Sequence, residues 1–223
     1  MDDELEYEQA RKRMVEGLCI RMDLTDKRVI EAMLKVERHK FVPERLKGVA
    51  YNDYPLEIGE GQTISAPHMV AIMAEKLDVL PNMKVLEVGG GSGYHAAVVA
   101  ELAKPGHVYS IEIKPTLAER ARENLRKAGY ENYVTVITGD GTLGYPEEAP
   151  FDRIFIAAAA PQIPPPLIEQ LRDGGKMLIP LGSRYHQELI LIEKENGNIK
   201  KRELGGCVFV PMVGKYGFKF SQI

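Results

Sequence analysis

The chain has 223 residues, 44% of them hydrophobic and 27% charged, which excludes a disordered chain and suffices for one α/β core. The formal net charge is −3 and the lysines and arginines are dispersed, so we expect no nucleic-acid partner. The acidic start does not resemble a secretory signal, and no apolar run approaches the length of a membrane span. We therefore expect a cytoplasmic protein without membrane association, and we expect it to be a monomer.

The first 80 residues are predicted to form a helical part followed by a loop. Apolar residues at 29, 30, 33, 34 and 36 make one helical stripe after a start signal at Thr25 and Asp26. Residues 51–65 are rich in glycine and turn formers, so we expect a loop there. Pro67 suits the first turn of a helix over residues 68–77. The loop therefore brings Thr63 and Ser65 to the start of a helix.

Residues 81–195 alternate short β-type runs with helical stretches. Strand signals occur at residues 84–89, 107–113, 133–140, 152–158, 176–182 and 188–194. This alternation predicts right-handed βαβ crossovers and an α/β fold with a doubly wound, mostly parallel sheet. Residues 196–223 mix β signals with glycines and are expected to add antiparallel strands. The whole chain, residues 1–223, is expected to form a single domain.

The segment Val85-Leu-Glu-Val-Gly-Gly-Gly-Ser-Gly-Tyr94 runs from an apolar strand through a glycine turn into a helix. Glycines let the backbone approach a ligand closely, and the start of the following helix offers unpaired N–H groups. We therefore expect a nucleotide-binding turn. Two alternatives stay open, because residues 91–96 also satisfy the dinucleotide fingerprint and any tight strand-to-helix turn favours glycine.

Acidic residues close the next two predicted strands. Glu112 is placed to accept hydrogen bonds from both hydroxyls of a ribose, and Asp140 is placed to accept from the exocyclic amine of adenine. Glu112 could instead be a solvated carboxylate, and Asp140 with Gly141 could be an ordinary turn. Because the glycine turn, Glu112 and Asp140 occupy three successive strand ends, together they indicate an adenosine pocket.

This combination resembles the class I S-adenosylmethionine methyltransferases, and residues 151–157 and 171–180 resemble later motifs of that superfamily. The resemblance implies a Rossmann-like fold and S-adenosylmethionine as cofactor, with S-adenosylhomocysteine as product. The residues that it assigns to cofactor binding in the core are Glu87, Gly89, Gly90, Gly91, Ser92, Glu112, Asp140 and Gly141.

More specifically, the chain resembles the protein-L-isoaspartate O-methyltransferases. The matching stretches are residues 61–71 (GQTISAPHMVA), 85–97, 157–161, 170–171, 174–175 and 208–214. The resemblance implies an enzyme that repairs damaged proteins and peptides by methylating the free carboxylate of L-isoaspartyl residues. Family members often have Thr where this chain has Gly90, a difference that we expect to be neutral.

The family resemblance also assigns roles near the expected reaction centre. It implies that Ser65 is the active-site serine and that Thr63 and His68 flank the methyl-donor end of the cofactor. The residues that it implies for peptide binding are Ile58, Ser65, Val210, Pro211 and Val213. From the residues alone, Ser65 could instead be the N-cap of the following helix, and the peptide-binding candidates could be ordinary packing. The five histidines show no ligand spacing, so we expect no metal.

The expected substrate group is a carboxylate with a reference pKa of about 3.9, so it is ionised at neutral pH and no strong general base is required. Ser65 would orient the carboxylate in line with the sulfonium methyl. Three rival functions stay open. They are another class I methyltransferase acting on a small molecule or RNA, an NAD-dependent oxidoreductase, and a protein that senses S-adenosylmethionine without turnover.

Overall fold

The N-terminal part is helical, as the apolar stripe predicted. The computed structural model describes residues 2–219, beginning with α1 (Asp2–Met22) and α2 (Lys27–Lys35). Asp26 caps α2 by accepting a hydrogen bond from Arg28 N at 2.8 Å, which confirms the predicted start signal. Two 3₁₀ turns, Arg38–Phe41 and Glu44–Val49, follow α2.

Residues 51–65, expected to be a loop, contain a small antiparallel hairpin instead. It is formed by β1 (Leu56–Gly59) and β2 (Gln62–Ile64), with Leu56 opposite Ile64. Gly59, Glu60 and Gly61 all have positive φ, which closes the hairpin tightly enough for two very short strands to pair. The prediction of a loop without strands was wrong because these turn residues form the tip of a hairpin. The helix α3 (Pro67–Leu77) then begins at Pro67, as predicted.

Seven strands form the central sheet in the order β5-β4-β3-β6-β7-β8-β9. Their bounds are β3 (Lys84–Val88), β4 (His107–Glu112), β5 (Val134–Thr138), β6 (Phe151–Ile156), β7 (Leu171–Gly182), β8 (Gln187–Glu195) and β9 (Asn198–Cys207). The first five strands in that order are parallel, and the chain order reverses between β3 and β6. Ligands bind outside the carboxyl ends of strands at such a reversal.

Antiparallel pairing begins with β8, earlier than the segment 196–223 for which it was expected. Only residues 183–186 separate β7 from β8, too few for the crossover that a parallel pair requires, so the two strands form a hairpin. The strand β9 extends the sheet in the same manner. The predicted fold, a mostly parallel sheet with antiparallel C-terminal strands, is confirmed.

Alternate residues of the strands enter two hydrophobic clusters on opposite faces of the sheet. Val85 and Phe155 belong to the cluster that packs against α1–α3, α4 (Tyr94–Ala103) and α5 (Pro115–Ala128). Leu86 and Ile154 belong to the other cluster, which α6 (Pro165–Gln170) covers. Within residues 2–219, no helix combines the length and apolar character needed to cross a bilayer.

Candidate active site

The turn between β3 and α4 brings backbone close to the end of the sheet. Gly89 opens the turn with φ 91°, a left-handed conformation that favours glycine, and its N–H donates to Ile111 O at 2.9 Å. Gly93 closes the turn with φ 85° as the N-terminal cap of α4, where an added Cβ would lie 3.1 Å from Leu125 Cγ. The close-approach turn that the glycine run predicted is therefore present.

The carboxylate of Glu112 holds this turn in place. Glu112 Oε2 accepts from Gly91 N at 2.8 Å and Oε1 accepts from Lys114 N at 2.8 Å. The residue is only 5% exposed, which excludes the alternative of a solvated carboxylate. Each carboxylate oxygen has two lone pairs, so each can accept a further hydrogen bond from a ligand. The ribose role stays a prediction that this remaining capacity permits.

A cavity of about 70 Å³, the sheet-edge cavity, lies beside the turn. Its walls include Thr63, Gly89, Glu112 and Gly141, and residues 210–213 of the C-terminal segment form the opposite side. That segment is held by Ala159, whose N–H donates to Val210 O at 2.8 Å. The cavity therefore joins the three predicted strand ends to the C-terminal segment.

Asp140 does not line this cavity. Its Oδ1 accepts from Thr142 N at 2.9 Å and from Thr142 Oγ1 at 2.7 Å, and its Oδ2 accepts from Lys215 N at 2.8 Å. The carboxylate thus caps a 3₁₀ turn and anchors the C-terminal segment, which matches the turn alternative raised for it. The adenine role of Asp140 stays a prediction without geometric support, whereas Gly141 does line the cavity.

Glu87 is a fully buried carboxyl group on β3. Ser110 Oγ donates a short hydrogen bond to Glu87 Oε2, while Oε1 has no partner among the described residues. Burial, with a smaller contribution from the negative charge of Glu112, raises the pKa of the Glu87 carboxyl to about 8, although the hydrogen bond from Ser110 acts to lower it. Glu87 therefore carries a proton through much of the neutral range when no ligand compensates its charge.

This raised pKa predicts a pH dependence of stability for the ligand-free protein. The folded state holds the Glu87 proton up to about pH 8, whereas an unfolded glutamate loses it near 4.5. The stability contributed by Glu87 is therefore complete below pH 4.5 and is lost as the pH rises to about 8. Thermal unfolding of wild type and of Glu87→Gln between about pH 3.5 and about pH 9, which extends about one unit beyond each end of that window, measures it. We expect a steeper decline for wild type, and parallel curves would contradict the assigned pKa.

Ser65 precedes the cap residue of α3 and does not itself cap the helix. Ala66 occupies the cap position, and Ser65 Oγ makes no hydrogen bond within the described residues. Asp53 satisfies the helix instead, because its Oδ1 accepts from His68 N at 2.9 Å. The N-cap alternative for Ser65 is therefore wrong, and its hydroxyl is available to a ligand.

Asp53 also orients the His68 ring. His68 Nδ1 lies 2.9 Å from Asp53 Oδ1, and since a carboxylate only accepts, Nδ1 carries the hydrogen. Arg21 NH2 donates to Asp53 Oδ2 at 3.0 Å. Burial acts to raise the pKa of the Asp53 carboxyl, but the hydrogen bonds from His68 N, His68 Nδ1 and Arg21 outweigh it and lower that pKa. Asp53 is therefore an ionised positioning residue beneath His68.

Asp53→Asn is expected to lower kcat/KM for a peptide substrate about fivefold, because a neutral acceptor binds His68 about 1 kcal/mol more weakly than a charged one. The affinity for S-adenosylmethionine should change little. Steady-state kinetics with varied peptide, together with calorimetry of cofactor binding, separate the two effects. Asp23→Asn, which removes an exposed carboxylate on the α1–α2 turn, is the matched control. If Asp53→Asn lowers only the thermal unfolding temperature and leaves the kinetics unchanged, Asp53 acts only as a helix cap.

A second cavity of about 460 Å³, the large cavity, opens beside α3. Thr63, Ser65 and His68 line one side, and residues 206–210 line the other. Of the predicted peptide-binding residues in the C-terminal segment, only Val210 reaches this cavity, while Pro211 and Val213 line the sheet-edge cavity. The peptide-binding assignment of Pro211 and Val213 stays a prediction that the lining of the large cavity does not support.

The surroundings of Ile58 and Gly90 differ from those that the family resemblance implied. Ile58 is 4% exposed and packs on the glycine turn at Gly91, outside the large cavity, as its packing alternative proposed. A side chain at position 90 would collide with Ser110 Oγ, which would then have to turn away from Glu87. A difference at this position is therefore coupled to Glu87 and is not structurally neutral.

A third and smaller cavity of about 30 Å³, the small cavity, lies between the other two. Most of the predicted site residues line at least one of the three, namely Thr63, Ser65, His68, Glu87, Gly89, Gly90, Gly91, Ser92, Glu112, Gly141, Val210, Pro211 and Val213. Neither Asp53, which orients His68, nor His95, which lines the small cavity, was singled out from the sequence. Asp53 carried no local signal, and His95 was read only as one of five histidines without ligand spacing.

Comparison with known proteins agrees with this architecture. The family model for protein-L-isoaspartate(D-aspartate) O-methyltransferase matches residues 9–217. A protein-L-isoaspartate O-methyltransferase of Methanopyrus kandleri is 59% identical over 220 residues, covering 98% of this chain and 97% of the relative. One of Hyperthermus butylicus is 55% identical over 226 residues, covering 97% of this chain and 94% of the relative.

A solved structure shares the whole fold. The Plasmodium falciparum protein-L-isoaspartate O-methyltransferase, in complex with S-adenosyl-L-homocysteine, superposes with a TM-score of 0.79 at 30% identity, covering 91% of this chain and 98% of that one. The predicted family and the predicted methyltransferase fold are both confirmed. The chain therefore belongs to the protein-L-isoaspartate(D-aspartate) O-methyltransferase family and is an S-adenosylmethionine-dependent enzyme of that family.

Proposed function

We propose that this chain methylates the free carboxylate of L-isoaspartyl residues in damaged proteins and peptides, with Ser65 orienting that carboxylate. One observation carries the proposal. Thr63 and Ser65 line both the large cavity and the small cavity, and Thr63 also lines the sheet-edge cavity. An acceptor in the large cavity therefore meets the cofactor side of the site at these two residues.

The residues beside the glycine turn fit a nucleoside joined to an amino acid. Glu112 retains acceptor capacity at the sheet-edge cavity, and Gly89 and Gly91 expose backbone there. Glu87 Oε1, buried and unpartnered, provides an acceptor for a cationic group in the small cavity. When bound, S-adenosylmethionine supplies an electrophilic methyl group on its sulfonium.

The chain's own part in the reaction is to hold an already ionised group. The free carboxylate of an isoaspartyl residue is its α-carboxyl group, with a reference pKa of about 3.3–3.7, so no side chain has to remove a proton from it at neutral pH. The Ser65 hydroxyl can donate one hydrogen bond to a carboxylate oxygen and fix its direction. Met69 and Phe209 add apolar walls to the same cavity, so a bound peptide that displaces water from it would strengthen that hydrogen bond.

The large cavity is open enough to admit a peptide. Val208 is 75% exposed at its rim, and Gly206 and Cys207 precede it at the end of β9. A glycine and exposed backbone suit a substrate recognised through its main chain. We assign peptide binding to residues 206–210 together with Ser65, and we assign Pro211 and Val213 to the cofactor side. A monomeric state and a cytoplasmic location remain part of the proposal.

The decisive experiment is transfer of labelled methyl from S-adenosylmethionine to two peptides that differ only in an isoaspartyl or aspartyl linkage. We expect base-labile methyl ester on the isoaspartyl peptide alone. Equal labelling of both peptides would point to another carboxyl methyltransferase. Tight binding of S-adenosylhomocysteine with no transfer to either peptide would point to a cofactor-sensing protein.

A further inference from the structure

His95, in the first turn of α4, is a buried imidazole without a hydrogen-bond partner. Neither Nδ1 nor Nε2 has a hydrogen-bond partner among the described residues, and the ring packs against Phe155 in a tilted arrangement with 4.4 Å between centroids. Burial lowers the pKa of His95 to about 3, so the ring is neutral at physiological pH. A neutral imidazole offers one N–H donor and one acceptor, and leaving both unpaired in the interior is costly.

Glu87 lies next to His95 through the register of the sheet. Glu87 pairs laterally with Ser110 on β4 and with Phe155 on β6, so the three side chains share the face that α4 covers. The His95 ring lies over Phe155, one strand away from Glu87. Both His95 and Glu87 line the small cavity, and the unpartnered Glu87 Oε1 is the second unsatisfied group there.

The size and position of the small cavity restrict what can satisfy these atoms. A water needs about 10–15 Å³, so a volume of about 30 Å³ admits about two or three groups of that size and excludes a nucleoside. The small cavity shares Thr63, Gly89 and Gly91 with the sheet-edge cavity. The group in the small cavity can therefore be one end of a ligand whose larger part lies at the edge of the sheet.

We propose that His95 binds the amino-acid end of the methyl donor, facing Glu87 across the small cavity. This inference rests on the proposed function and adds to it a residue that recognises the donor. An α-ammonium group donates to the Glu87 carboxylate, and an α-carboxylate accepts from the His95 N–H. A zwitterionic amino-acid head group thus meets both unsatisfied side chains, which an uncharged alkyl group does not.

The test compares two ligands in calorimetry on the full chain. S-adenosylhomocysteine carries the amino-acid end, and 5′-methylthioadenosine lacks it. His95→Leu, which removes both ring nitrogens, should weaken S-adenosylhomocysteine binding about tenfold or more and leave 5′-methylthioadenosine within about twofold of wild type. His95→Gln, which keeps a donor and an acceptor, should recover part of the loss.

Other outcomes overturn the proposal. Equal weakening of both ligands would make His95 a support for the glycine turn, and no change in either would mean that it contacts only water. His186→Leu, at an exposed site, is the matched control. A ligand-free unfolding temperature equal to or above that of wild type shows that the His95→Leu variant folds. If wild type does not prefer the isoaspartyl peptide over the aspartyl peptide in the transfer assay, the proposed function is rejected. The comparison of the two ligands does not depend on that result.

Discussion

Ser65→Ala should lower the rate of methyl transfer about 10- to 100-fold, the cost of one hydrogen bond to a charged acceptor. Affinity for S-adenosylmethionine should stay nearly unchanged. The structure supports this separation, because Ser65 Oγ makes no hydrogen bond that stabilises α3, whose first turn is held by Asp53. The lost bond therefore serves the acceptor in the transition state and not the fold. Single-turnover transfer to an isoaspartyl peptide, with cofactor affinity measured separately, checks the expectation.

Two variants make the result specific to the hydroxyl. Ser65→Thr retains a hydroxyl and should keep more activity than Ser65→Ala. Ser183→Ala removes a serine from the exposed turn between β7 and β8 and should behave as wild type. If Ser65→Ala transfers methyl groups at the wild-type rate, Ser65 does not orient the acceptor and its family role does not apply here.

The same variant distinguishes positioning from covalent catalysis. If Ser65 only orients an ionised carboxylate, wild type and Ser65→Ala should share one pH profile, roughly flat above the pKa of the acceptor. A serine nucleophile would leave a modified enzyme, and its removal would abolish turnover. We expect intact-mass measurement during turnover to find no covalent adduct at Ser65.

The sheet was predictable because its signals are local and repeated. The sequence signals of β3 and of the turn at Gly89 to Gly93 lie in one continuous segment, and apolar runs mark the other parallel strands. The hairpin at residues 56–64 was missed, since its two strands are too short to show alternation. The pairing of β8 depended on the short turn before it, a constraint on topology that propensity alone does not express.

The sequence predicts a site residue whose position follows from its own strand or turn. It does not predict a role that depends on a contact with a residue far away in the sequence. Glu112 is the last residue of β4, so its place at the end of a strand was predicted. Asp53 contacts His68, fifteen positions later in the sequence, and accepts the hydrogen bond from His68 N. Asp53 therefore has the capping role that the sequence left open for Ser65. Asp140 was expected in the adenine pocket, but the C-terminal segment captures its carboxylate through Lys215. Long-range partners of this kind decide side-chain roles and leave no periodic signal.

Glu112→Gln should raise the dissociation constant for S-adenosylmethionine about 10- to 100-fold. The wild-type carboxylate accepts from Gly91 N and Lys114 N with different oxygens. An amide has one acceptor oxygen, so one of these two N–H groups would face an NH₂ group, and a ribose hydroxyl would lose a charged acceptor.

The loss for Glu112→Gln should appear in binding before it appears in catalysis. At saturating cofactor the transfer rate should recover toward wild type, because Ser65 and the large cavity are untouched. Glu119→Gln, which neutralises an exposed carboxylate on α5, controls for the change in net charge and should bind as wild type. Calorimetric titration with S-adenosylmethionine and with 5′-methylthioadenosine tests the assigned contact, since both ligands contain the ribose and should weaken together. If only S-adenosylmethionine weakens, Glu112 recognises the amino-acid end and the ribose assignment is wrong.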